Sequence, residues 1–130
     1  MQKQVATLRQ HGIQPTPQRL AVAEVVLGRR AHPSAEEVWA KVCRKCPTVS
    51  RATVYNTLNL FVEKELLKLQ VLKEGTTIFD SEVHAHHHFI DDETGKIYDV
   101  PWDSLQVKGA NSLRDFEVRD LQVVLRGRKR

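Results

Sequence analysis

Three hydroxyl residues mark where the first half of this chain must turn helical. Thr16 stands directly before Pro17, at the one helical position where proline's missing N–H costs nothing. Ser34 opens Ser34-Ala35-Glu36-Glu37, a capping box, and Ser50 stands before RATVYNTLNLFVEKE. Apolar residues at helical spacing follow each start. Leu20, Val22, Ala23, Val26 and Leu27 run up to Gly28; Val38, Trp39, Val42 and Cys43 run up to Pro47. An earlier stretch, with Val5, Leu8 and Ile13 near helical spacing, is broken by HGIQPTPQ. After the last helix, LLKLQVLKEGTTIFD reads as a strand, a Glu74-Gly75 turn and a second strand. Helices followed by a two-stranded ribbon predict a winged helix-turn-helix over residues 1–80. In that arrangement the last helix enters the major groove of double-stranded DNA and the ribbon rests on the backbone.

The last helix carries the composition such a role needs. At 100° per residue, Val54, Leu58 and Phe61 form one stripe, which must be core. Arg51, Ala52, Tyr55, Asn56 and Asn59 fall on the opposite arc: a cation, two amides and an aromatic hydroxyl, without a carboxylate. Such a surface suits phosphates and base edges, although a solvated face that lacks acids by chance has the same look. Charge points the same way. Residues 1–65 hold ten Lys/Arg against five Asp/Glu, residues 66–125 hold six against eleven, and RGRKR closes the chain. Basic regions suit a polyanion, and the acidic stretch suits cations.

Residues 81–130 switch to a period of two. HHFID and GKIYDV read as strands flanking a DDETG turn, PWDSLQVKGANSLRD as a short helix with loops, and FEVRDLQVVLRG as a final strand presenting Leu121, Val123 and Leu125 on one face. The chain is therefore expected to be α+β: an N-terminal winged helix-turn-helix, residues 1–80, followed by a small α/β dimerisation domain, residues 81–130. Some fifty residues bury too little of their own surface to stand alone, since even a domain of about 60 residues buries only about 60%. A homodimer is the expected remedy, and two-fold symmetry suits a palindromic operator. No apolar run is long enough to span a bilayer, and MQKQVATLRQ lacks a signal-peptide core, so a cytoplasmic protein is expected. Two cysteines, Cys43 and Cys46, build no disulfide framework.

Four of the six histidines crowd into VHAHHHFI. On a strand, His84, His86 and His88 project from one face and His87 from the other. Imidazoles two residues apart converge closely enough for a common metal. Asp80 precedes them at the end of the wing, and Asp99 lies on the next strand. Nitrogen and oxygen donors without thiolate favour Fe(II), Mn(II) or Zn(II). A merely solvated histidine run is the bland alternative.

HGIQPTPQR, AHPSAEEVW, SRATVYNTLNLFVEKELL, IFD, HHHFI and TGKIYDV, in this order and spacing, resemble the ferric uptake regulator family over nearly the entire chain. Within that family they look most like the peroxide-responsive repressors. The resemblance implies a DNA-binding repressor whose regulatory metal is held by His32, Asp80, His86, His88 and Asp99. It further implies Fe(II) or Mn(II) in that site, with Zn(II) possible in vitro, and peroxide sensed through iron-catalysed oxidation of a ligand histidine. Two departures matter. Where the family carries a CxxC, this chain has Asp91-Asp92-Glu93-Thr94, and where a second CxxC is usual it has GRKR, so no structural Cys₄ zinc is expected. Asp120 and Leu121 stand where a second sensory site commonly has histidine. Cys43 and Cys46 lie in the other half and do not replace the missing motif. Cys46-Pro47 resembles the Cys-Pro dipeptide of haem-regulated proteins, and the family's haem-responsive branch also lacks the zinc cysteines and has a His-rich strand, which makes an iron- or haem-responsive regulator the alternative. A non-haem iron enzyme would use two histidines and a carboxylate as well, but needs an enclosing pocket that so short a chain scarcely provides.

Overall fold

The computed structural model describes residues 2–28, 31–73 and 76–130, so the Glu74-Gly75 turn lies outside the described residues. The chain divides into two compact units, Met1–Val83 and His84–Arg130.

Unit one is built from α1 (Gln2–Gln10), α2 (Pro17–Val26), α3 (Ala35–Lys45) and α4 (Arg51–Glu63), followed by β1 (Lys68–Lys73) and β2 (Thr76–Asp80). The side chains expected to cap α2, α3 and α4 do so. Thr16 accepts from the Arg19 N–H, and Ser50 accepts from the Thr53 N–H. Ser34 and Glu37 close both arms of the capping box. Leu8, Val22, Val38, Val54, Leu58 and Phe61 are fully buried, so all four helices share one apolar centre. Each such side chain contributes about 1.5–3 kcal/mol through the area it removes from water. β1 and β2 pair antiparallel from Lys68↔Asp80 onward, forming the wing. The Phe79 N–H donates to the Pro33 carbonyl across 2.9 Å, which ties the end of the wing to the segment entering α3.

Unit two is a three-stranded sheet in the order β4-β3-β5, with β3 (His86–Asp91), β4 (Ile97–Pro101) and β5 (Val124–Gly127). β3 pairs antiparallel with β4 and parallel with β5. A parallel neighbour requires a long crossover, and residues 102–123 supply it. Two expectations need correcting here. PWDSLQVKGANSLRD forms only the 3₁₀ turns Trp102–Ser104 and Ala110–Ser112, neither with a side-chain cap; Gly109, at φ 91°, is left-handed and interrupts any longer helix. FEVRDLQVVLRG is a strand only over its last four residues. Residues 116–120 are exposed, and among the described residues no strand pairs with them, so their alternation has no ladder to join.

Asp91 ends β3 and organises the turn after it. Its carboxylate accepts from the N–H groups of Glu93, Thr94 and Lys129, while the Asp92 N–H donates to the Gly127 carbonyl. The Lys129 ammonium lies 4.6 Å from the centre of the Tyr98 ring. The positions where relatives were expected to hold zinc with cysteines are joined here by one carboxylate and a cation on an aromatic face.

Candidate metal centre and nucleic-acid interface

Two groups of donors, one in each unit, are built by local structure. In unit one, His32 sits two residues before Ser34, the N-cap of α3, and Asp80 is the last residue of β2. The bond from Phe79 to Pro33 brings these positions side by side, with His32 Nε2 lying 3.5 Å from Asp80 Oδ2. Asp80 Oδ1 is already taken by the Glu82 N–H at 2.9 Å, leaving Oδ2 to face the imidazole. Asp80 is 1% exposed, a burial that a carboxylate tolerates when hydrogen bonds or a nearby positive charge compensate it.

In unit two, alternation along β3 sends His86 and His88 to one face, and the register places His88 directly opposite Asp99 on β4. His86 Nε2 lies 3.4 Å and His88 Nε2 3.7 Å from the same oxygen, Asp99 Oδ1. The two rings approach with centroids 4.5 Å apart, and one donor atom from each of these three residues lies within 4.8 Å of the others.

The other ring nitrogens decide what the centre can do. His86 Nδ1 is 2.7 Å from the His84 carbonyl, and His88 Nδ1 is 2.9 Å from Gln122 Oε1. Carbonyl oxygens only accept, so each Nδ1 carries a proton, and Nε2 is the nitrogen that each ring turns toward Asp99. Imidazoles held at Nδ1 by oxygen acceptors and offering Nε2 are the arrangement that divalent metals use. The donor set thus fits Fe(II), Mn(II) or Zn(II).

His84 and His87 do not join this group. His84 precedes β3, is exposed, and offers its carbonyl to His86 Nδ1. His87 points to the opposite face, accepts from the Val123 N–H at 2.9 Å and stacks on Trp102 at 4.7 Å, so its role is structural. A cavity of about 680 Å³ opens on that side, lined in part by His87, Trp102, Asp103 and Asp120. Its lining includes none of His86, His88 and Asp99.

On α4, Arg51, Ala52, Tyr55, Asn56 and Asn59 are all exposed, while Val54, Leu58 and Phe61 are fully buried. Arg51 is engaged within its own unit: it forms an ion pair with Glu36, and its guanidinium lies 4.3 Å from the centre of the Trp39 ring. Reading α4 alone misses both partners, because they belong to α3. Gln122 is missed as well, being 34 residues from the histidine it orients.

Residues 10–126 match the sequence profile of the ferric uptake regulator family. The chain belongs to that family. It is 32% identical over 120 residues to the peroxide-responsive repressor PerR of Staphylococcus aureus (strain Mu50), covering 91% of this chain and 81% of that protein. Among solved structures it resembles the Campylobacter jejuni peroxide stress regulator, with a TM-score of 0.70, 26% identity and 96% and 95% of the two chains covered. The Pseudomonas aeruginosa ferric uptake regulator with manganese matches at a TM-score of 0.70 and 26% identity, over 95% and 96%. The Vibrio cholerae regulator shares the fold, with a TM-score of 0.74 at 24% identity. Ferric uptake regulators are DNA-binding, dimeric transcriptional regulators rather than enzymes, and this chain is a metalloregulator of that family. Among the described residues, no helix is long and apolar enough to cross a membrane.

Proposed function

We propose that the chain is a homodimeric, cytoplasmic repressor that binds a palindromic operator while metal-loaded and releases it on exposure to peroxide. One Fe(II) or Mn(II) ion would be shared by His32 and Asp80 of unit one and by His86, His88 and Asp99 of unit two. The observation that carries this reading is the pair of imidazoles held at Nδ1 with both Nε2 atoms facing Asp99. Neither group is a complete coordination sphere alone, with two donors in one and three in the other. Sharing an ion would couple the winged helix to the dimerisation unit.

When bound there, Fe(II) would supply the electron that makes hydrogen peroxide an oxidant toward an adjacent imidazole. The chain does the rest: Gln122 and the His84 carbonyl keep His88 and His86 in the donor tautomer, and burial of His88 excludes water. An imidazole that gains oxygen loses the basicity that holds a cation, so oxidation would uncouple the units. The likeness to a peroxide-responsive repressor favours peroxide as the signal over iron or haem. Arg51, Ala52, Tyr55, Asn56 and Asn59 would meet the operator, with the basic composition of the first half as support.

The test loads the protein with Mn(II) or Fe(II) and measures binding to duplexes selected from a random pool, before and after peroxide. The expected result is metal-dependent binding by both forms and peroxide-dependent loss by the Fe(II) form alone, with one oxygen atom's mass gained on peptides containing His32 or His86–His88. Equal loss from the Mn(II) form, or loss without histidine oxidation, sinks the peroxide reading.

A further inference from the structure

Cys43 and Cys46 take no part in the centre above, yet they stand where the helix-turn-helix changes direction. Cys43 lies in the last turn of α3, and Cys46 is its C-cap. The Cys46 N–H still donates to the Val42 carbonyl at 2.8 Å, so its Cα remains on the helical path, while its own dihedrals (φ −130°, ψ 79°) have left the helix. Both thiols are free and partly exposed, and the chain has no third cysteine to compete for either. We infer that Cys43 and Cys46 form a reversible intrachain disulfide that tightens the end of α3 and resets the turn leading into α4.

Geometry allows the bond and makes it consequential. Residues three apart on a helix share a face with Cβ atoms about 5–6 Å apart. A disulfide needs them about 3.5–4.5 Å apart. The bond is thus within reach, but only if the chain closes by about 1–2 Å. Cys43 is held by the helix, whereas the cap residue can swing, so Cys46 makes the movement. The turn beyond it is short and mutually bonded. The Val49 N–H donates to the Cys46 carbonyl at 3.0 Å, and Ser50, the next residue, caps α4 through the Thr53 N–H at 3.1 Å. Displacing Cys46 moves the acceptor of the first bond and loosens the start of α4.

A low-molecular-weight disulfide is a sufficient oxidant. One thiolate attacks a sulfur of the small disulfide and expels one small thiolate, giving a mixed disulfide; the second protein thiol attacks the protein sulfur of that bond and expels the other. Two protein thiols lose two protons and two electrons, and one small disulfide becomes two thiols. Arg44, between the cysteines, favours the approach of an anionic disulfide such as that of glutathione.

The effect on DNA rests on the function proposed above; the disulfide and its effect on the turn do not. The test equilibrates full-length Mn(II)-loaded protein without oxygen in glutathione buffers from reducing to oxidising. At the oxidising end we expect a chain lighter by two hydrogens that takes up no iodoacetamide. Exchange at the Val49 and Thr53 amides should be faster by about tenfold. Affinity for a duplex selected by the reduced protein should fall by about tenfold, an ordinary coupling between a switch and a binding site. Dithiothreitol should reverse all of this, and Cys43→Ser should show none of it. Thiols that stay alkylatable, glutathione adducts or cross-linked chains in place of the internal bond, or a disulfide that leaves amide exchange unchanged overturn the inference. A disulfide that alters exchange but leaves duplex affinity intact overturns its role in control. If the reduced protein selects no duplex, the proposed function fails, and amide exchange still decides the switch.

Discussion

The carboxylate of Asp91 accepts a hydrogen bond from the backbone N–H of Lys129 across 3.3 Å, joining residues 38 positions apart. Burial pushes the Asp91 carboxyl up, but the N–H groups of Glu93, Thr94 and Lys129 and the Thr94 hydroxyl outweigh it and hold the pKa below the ordinary value of 3.8. A carboxyl depressed on folding adds stability above its unfolded pKa, and that stability is lost as pH falls through the lower, folded value. Asp91→Asn should therefore lower the melting temperature at pH about 7, with the gap to the parent closing below pH about 4. Melts of both proteins across that range check this; an equal gap at both ends would remove Asp91 as the joint.

Gln122→Leu probes the donor tautomer without touching a donor. With no acceptor at Nδ1, His88 is free to rotate or to move its proton to Nε2. Mn(II) affinity should fall by about 10–100-fold, the usual effect of losing such a support. His88→Ala should abolish binding of that ion, and both variants should retain the helical signal of unit one. Isothermal titration with Mn(II) distinguishes them; a Gln122→Leu protein with parental affinity would mean the orientation is set elsewhere.

Glu36→Gln asks what Arg51 does in the free protein. Glu36 already neutralises the guanidinium, so a phosphate must displace a carboxylate to reach it. Removing that competitor should raise affinity for duplex DNA and steepen its dependence on salt, while Arg51→Ala should weaken binding and flatten the slope by about one counterion. Tyr55→Ala should instead blunt discrimination between sequences. Salt titrations of the three variants on selected and unselected duplexes give the answer, and identical slopes for all would move Arg51 away from the phosphates.

Leu113, Phe116 and Val118 are 51%, 69% and 42% exposed along a segment without a strand partner among the described residues. If a second copy covers them, melting temperature should rise with concentration over a range of about a hundredfold, and Phe116→Asp should remove that dependence. Sedimentation of the variant as a monomer would agree; a concentration-independent melt of the parent would deny the dimer this surface.

The helices are legible in the sequence because their signals are local. Thr16, Ser34 and Ser50 declare their caps through contacts spanning three residues, and the stripe of Val54, Leu58 and Phe61 needs only a helical period. The shared face of His86 and His88 follows from strand alternation in the same way. Features that depend on distant partners are hidden. Nothing near Gln122 says that it meets a histidine, and nothing near Arg51 says that Trp39 lies beneath it. FEVRDLQVVLRG alternates along its length, but a strand also needs a neighbour, and only its last four residues have one.

β5 is four residues long, lies at the sheet's edge, and carries just before it the two partners of the histidines, Gln122 for His88 and Val123 for His87. Edge strands of this length fray, opening and reclosing on timescales from microseconds to seconds without unfolding of the whole. Each such opening here would release His88 from Gln122 and let its ring turn. If the ion is held as proposed, the zipping of this peptide edge would set how long the donor geometry persists, and substitutions that never approach the ion would lengthen or shorten the protein's memory of it.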